Sequence, residues 1–128
     1  MSYVVTNVGR DWLEGQMAPG DSQDKLSKVV VGDGTTDEST SDTSLDNPLY
    51  TASDSGGASI DTTPSDGEIS VVIDVTGGSD VDAGTDIYEL GTKTSNGILF
   101  HREVRNNPIT IESGETKTIE FTIKLNTS

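Results

Sequence analysis

Cysteine is absent from the 128 residues of this chain, which excludes a disulfide framework, a zinc–thiolate site and a thiol nucleophile. Long apolar runs are missing too, and none approaches the ~18 residues that a membrane-spanning helix needs. The opening Met1-Ser2-Tyr3-Val4-Val5 lacks the basic n-region and long apolar core of a secretory signal. Cations are scarce: 8 Lys plus Arg stand against 22 Asp plus Glu, a formal net charge of −14. Such a chain repels phosphate, so no nucleic-acid partner is expected. Hydrophobic residues make up 30%, lean for a globular core, and the length suits one domain spanning 1–128. What is plentiful is glycine, 14 residues, together with many Ser and Thr. That favours strands and turns over long helices.

The charge is localised. Between Lys28 and Lys93 there is no Lys, Arg or His, yet this stretch carries fourteen acids, from Asp33 to Glu89. In the two flanks acids and bases balance. One reading is a surface that stays hydrated in concentrated salt, where screening removes the self-repulsion. The other is divalent-cation binding by clustered Asp. The acids are dispersed rather than set at ligand spacing, which favours the first reading and a halophile or its virus as the source.

Periodicity then orders the chain. Thr6 or Asn7 can cap a short helix in region 1–20, with Val8, Trp12, Leu13 and Met17 near one face and Pro19-Gly20 as the stop. Lys25 to Val31 reads as a strand ending at Gly32-Asp33-Gly34. Residues 33–66 read as a long acidic loop, anchored where Leu45 and Leu49-Tyr50 touch a core. The region 67–128 is strand-rich. Ile69, Val71, Ile73 and Val75 alternate within Glu68 to Val75, as do Ile119, Phe121, Ile123 and Leu125 within Thr116 to Leu125. Asp86 to Leu90 and Ile98 to Val104 supply two more strands, with turns at Ser95-Asn96-Gly97 and Ser113-Gly114. The expected fold is mainly β: a small antiparallel β-sandwich with one short N-terminal helix and the long acidic loop. So lean a core is marginal alone, and an oligomer, a trimer or higher, would supply the missing burial.

Chemistry is sparse. His101, the sole histidine, reads either as a general base or as a strand residue on a solvent or subunit face, and no partner nucleophile accompanies it. Gly32-Asp33-Gly34 lacks the continuation of a phosphate loop and reads as a tight turn. Asp80, Asp82 and Asp86 alternate as in a Ca²⁺ loop that could also take Mg²⁺, but Gly91 stands where the bidentate Glu belongs. No other cofactor is expected. Asn126-Thr127-Ser128 forms a glycosylation sequon at the end of the sequence. Arg102 and Arg105 flank Glu103, as an ion pair on a strand face or across a subunit contact.

Five pieces, in order, resemble one family. Val5-Thr6-Asn7-Val8-Gly9-Arg10-Asp11-Trp12-Leu13 is similar to the "T-N-x-G" start and short helix of phage tail-collar fibre proteins. Leu26 to Gly34 resembles their apolar strand ending in Gly-x-Gly, and Ser41 to Tyr50 their "T-x-L-x-N-E-x-Y" stretch. Asp86 to Gly91 is similar to the "I-x-E-x-G" strand, and Gly97 to Arg102 to the "G-x-L-x-x-R" strand that follows. Asn47-Pro48-Leu49 departs from the usual Asn-Glu, the acidic middle departs from the bacterial examples, and no fibre shaft or tip is expected past Leu125.

The resemblance implies a non-enzymatic structural protein of a tailed virus, located in the virion. It would serve as a collar, baseplate or fibre-attachment subunit that binds copies of itself and other virion proteins, in a virus of a salt-loving host such as an archaeon. Capsid decoration, as a turret or spike, is the alternative placement. A surface carbohydrate- or calcium-binding β-module is the alternative class. Trp12, Tyr50 and Phe100 are candidate interface anchors or core residues, and His101 and Arg102 lie on a strand that could meet a subunit. If the acidity is an adaptation to salt, the melting temperature rises steadily between about 0.1 M and 2 M KCl as the Debye length shrinks below the spacing of surface charges. A flat or falling profile by circular dichroism refutes that reading.

Overall fold

The computed structural model describes residues 2–16, 25–54, 56–61 and 68–124. In chain order the elements are β1 (Ser2–Val5), α1 (Asn7–Gln16), β2 (Leu26–Gly32), β3 (Pro48–Asp54), β4 (Gly57–Asp61), β5 (Glu68–Thr76), β6 (Thr85–Thr94), β7 (Leu99–Ile111) and β8 (Thr116–Lys124). The strands form one curled eight-stranded sheet in the order β1-β7-β6-β2-β3-β4-β5-β8. Every neighbouring pair is antiparallel except the short β3–β4 contact. The chain is thus mainly β with a single short helix among the described residues.

The alternating strands behave as their periodicity dictates. The β5–β8 ladder runs unbroken from Glu68↔Lys124 to Thr76↔Thr116 and places Ile69 opposite Ile123, Val71 opposite Phe121 and Ile73 opposite Ile119. These side chains join Val29, Val31, Ile87, Leu90, Phe100 and Ile111 in one core inside the curl. Three residues alone, Val30, Leu45 and Leu99, form a second cluster. Val30 pairs with Gly91 on β6, and Gly91 with Arg102 on β7, so this cluster sits on the outer face of β2-β6-β7. A Cβ on Gly91 would lie 2.6 Å from Leu45 Cδ1, so a larger residue there would make Leu45 shift from its present seat.

Three expectations change. Residues 33–66 are not one loop: β3 and β4 lie within them, and β3 pairs with β2 from Lys28↔Ser53 to Gly32↔Pro48. Their side chains are mostly polar and exposed, with only Ala52 and Ala58 buried, so apolar alternation could not reveal them. Strand β6 runs to Thr94 and β7 to Ile111, well past Leu90 and Val104. The β7 extension passes a bulge, since Glu89 pairs with Val104 and Ile87 with Ile109, and the residues between include the turn-like Asn106-Asn107-Pro108. The strand β1 was not foreseen and pairs with β7 from Ser2↔Val104 to Val5↔His101. Met17, Pro19-Gly20, Leu125 and the sequon Asn126-Thr127-Ser128 lie outside the described residues.

Of the two candidate caps, Thr6 closes α1. Its Oγ1 accepts the Gly9 N–H at 2.9 Å and donates to the Leu99 carbonyl, while its own N–H donates to Phe100 O at 3.0 Å. The helix therefore docks on β7 at its first turn, and Trp12 meets Phe100 edge-on, with ring centroids 5.6 Å apart. Gly9 belongs to this contact, because a Cβ there would lie 2.7 Å from Phe100 Cα. Helix propensity alone says Gly9→Ala gains about 1 kcal/mol. Backbone overlap says it loses about 1–3 kcal/mol, and the overlap decides the sign. Urea denaturation of Gly9→Ala is expected to show a lower midpoint with an unchanged slope.

Candidate functional site

Pairing with Gly91 on β6 puts Arg102 on the outer face of the sheet, where water would be expected, yet the side chain is 0% exposed. The segment 33–47, between β2 and β3, lies over it. Arg102 Nε donates to Glu89 Oε1 at 3.1 Å, Nη1 to Asp42 Oδ2 at 3.0 Å, and Nη2 to the Thr36 carbonyl at 2.9 Å. Asp46 adds a carboxylate 3.3 Å from Nη2. Burial alone would drive the Arg102 guanidinium down, but the carboxylates of Asp42, Glu89 and Asp46 outweigh it and hold it above its ordinary value.

Glu89 works the other side of the same contact. Its Oε2 accepts the N–H groups of Gly34 at 2.9 Å and Asn47 at 2.8 Å, and its Oε1 accepts that of Asp46 at 2.9 Å. Both ends of segment 33–47 are thereby tied to one buried side chain. Glu38 Oε2 accepts the Val104 N–H at 3.1 Å, and Thr40 O accepts that of Asn7 at 2.7 Å, which binds the segment to the bulge and to the helix start. Asp46 itself sits below its usual range, first through its hydrogen bond with Thr36, with burial opposing and the Arg102 charge assisting.

On the inner face the same strands carry a second polar group. His101 Nε2 lies 3.2 Å from Glu103 Oε1, both residues are buried, and the His101 ring stacks on Phe121 with centroids 5.1 Å apart. Thr92 Oγ1 makes a long 3.5 Å contact with His101 Nδ1, and among the described residues Glu103 Oε2 has no hydrogen-bond partner. Burial pushes the imidazole below its ordinary value, with Glu103 recovering part of the loss. Sealed from solvent, this pair has no access to a substrate.

Of the residues expected at an interface, Phe100, His101 and Arg102 present no surface: all three are 0% exposed, Phe100 in the main core and the other two in the polar groups just described. Glu103 pairs with His101 and not with Arg102, because alternation along β7 sends them to opposite faces. Trp12 and Tyr50 are half-buried. Burial, and then the Asp80 carboxylate beside it, raises the Tyr50 phenol above its usual range. The Asp80, Asp82 and Asp86 set is not drawn together. Asp80 Oδ2 accepts the Thr76 N–H at 2.9 Å, Asp86 Oδ1 accepts the Thr110 hydroxyl at 2.6 Å, and among the described residues no three His, Cys, Asp or Glu converge to hold a metal. Asp80 and Asp82 instead line a shallow groove of about 210 Å³ with Leu49, Val81 and Thr85. Among the described residues no helix is long and apolar enough to cross a membrane.

The Arg102–Glu89 contact escaped sequence reasoning because its partners lie far apart in the chain. Its one signal was a Glu and an Arg inside otherwise apolar strands. Comparison of the chain with family models, with curated proteins and with solved structures finds no match in any of the three.

Removing the cation strands three carboxylates against one another. Arg102→Met is expected to cost about 3–5 kcal/mol in urea denaturation, with Arg102→Lys recovering part because the charge remains but the fork is lost. For His101, the native state favours the neutral ring, so the unfolded chain takes up the proton first. Its contribution is whole above the ordinary value of 6.5 and drains away as pH falls below it. The melting temperature of the wild type is expected to drop more steeply than that of His101→Gln between pH 6.5 and about 5.

Proposed function

We propose that this chain is a non-enzymatic structural subunit of a tailed-virus particle, at the collar, baseplate or fibre attachment, in a virus of a salt-loving host. The observation that carries the reading is where the five resembling pieces lie. Gly34 of the Gly-x-Gly piece, Leu45, Asp46 and Asn47 of the "L-x-N" piece, Glu89 and Gly91 of the "E-x-G" piece, and Leu99 and Arg102 of the "L-x-x-R" piece meet on one face of the sheet. Thr6 and Gly9 of the "T-N-x-G" piece close on Leu99 and Phe100 beside it. Residues scattered from Thr6 to Arg102 thus form one contact. That is the behaviour of a structural signature, in which each residue holds the others in place.

The rest of the reading follows from that rigidity. The sheet, curled so that its two halves pack face to face like a β-sandwich, supplies a stiff body. The exposed acids keep its outside wet in strong salt. The polar groups it buries hold strands together rather than face a cavity, which suits a part that works by repeated contacts with copies of itself and other virion proteins.

Proteomics on gradient-purified particles from a culture carrying this gene tests the reading. The protein is expected in the particle, at a tail end by immunogold labelling and in tens of copies. Copies in the hundreds spread over the shell would move it to capsid decoration. Absence from particles, or turnover of a small molecule by the purified chain, overturns the proposal.

A further inference from the structure

Only two large apolar side chains stand well out in water among the described residues: Leu13 on α1, 37% exposed, and Leu49 on β3, 38% exposed. Each is accompanied by charge, and the signs are opposite. Leu13 follows Arg10 by three residues, so the two share a helix face. Arg10 is exposed and pairs with no described acid. Leu49 lines the groove that also holds Asp80 and Asp82. Asp80 is committed to the Thr76 N–H and to Tyr50. Asp82 is exposed, and its carboxylate is bonded to no described group.

We propose that the groove is the seat for α1 of a second copy of this chain, with Leu13 against Leu49 and Arg10 paired with Asp82. The helix cannot fill its own chain's groove, because α1 packs on β7 through Trp12 and Phe100 and none of its residues lines the groove. Charge complementarity selects the occupant. In a chain of net charge −14, two copies repel unless a cation meets an acid, and Arg10 is one of only eight Lys and Arg residues. The two patches are different surfaces, so the contact is made reciprocally in a two-fold dimer or head-to-tail round a closed ring, and the mass in solution tells the two apart. This rests on the reading of the chain as an assembly subunit and names the partner. Its test reads mass in solution, not presence in particles, so either can fail alone.

Sedimentation equilibrium of the full chain in roughly 0.5 M salt, where the Debye length is about 4 Å, leaves contact pairs while removing long-range repulsion. The wild type is expected to form a discrete oligomer, and Leu13→Asp and Leu49→Asp each to yield monomer with an unchanged circular dichroism spectrum. Arg10→Asp weakens association by roughly fivefold or more, and Asp82→Arg does likewise. The double variant Arg10→Asp with Asp82→Arg restores it, which holds even if a leucine variant fails to fold. A wild type that stays monomeric at millimolar concentration overturns the proposal. So does a double variant no tighter than the singles, or a monomer whose groove resonances shift only with an added Leu- and Lys-containing peptide.

Discussion

A guanidinium withdrawn from water, with carboxylates arranged round it, decides how the acidic middle of this chain can be part of a fold at all. Segment 33–47 has almost nothing apolar to offer, and left to itself it would stay solvated. Arg102 gives its carbonyls at Thr36 and Asp37 a donor and its acids at Asp42 and Asp46 a counter-ion. Glu89 gives its N–H groups an acceptor. With both kinds of backbone group satisfied, the segment can lie on the sheet without the penalty of orphaned polar atoms.

That covering explains why β2, β6 and β7 are buried on both faces. Leu45, carried by segment 33–47, closes over Val30 and Leu99 outside, while Leu90 and Phe100 join the core inside. A chain with few apolar residues thereby gets two uses from three strands. The cost shows on the inner face, where Thr92, His101 and Glu103 occupy positions that an aliphatic core would fill, and one Glu103 oxygen has no partner among the described residues. An orphaned buried oxygen of this kind is worth about 1–3 kcal/mol against the fold. The ring of Phe121 against His101 restores some of the packing.

The parts of the fold legible in the sequence are those where one face meets the core and the other meets water. Ile69 to Val75 and Ile119 to Ile123 are of that kind, and alternation named both strands and their facing. It was silent on β3 and β4, whose outward Leu49, Thr51, Ser53 and Ser59 hide a strand among turn-forming residues. It also stopped short on β6, because Gly91, Thr92 and Thr94 look like a solvated end when all three are in fact buried, Gly91 beneath Leu45 and Thr92 beside His101. Of the candidate site, the members were visible and their meeting was not. Arg102 and His101 drew notice as charged or titratable residues, but a sequence gives no sign that Glu89 lies beside one and Thr92 beside the other. Only the bulged register of β6 against β7 sets that.

The pairing of β1 with β7, and the bond from Thr6 to Leu99 across a separation of 93 residues, fix the order in which the molecule can be made. As the chain leaves the ribosome, its first strand and helix have nowhere to dock until the first half of β7 has emerged. So high a contact order predicts slow folding and a long wait with unpaired strand edges. The acidic middle reaches solvent during that wait, before the strands that will clamp it, and its carboxylates keep that stretch hydrated until they arrive.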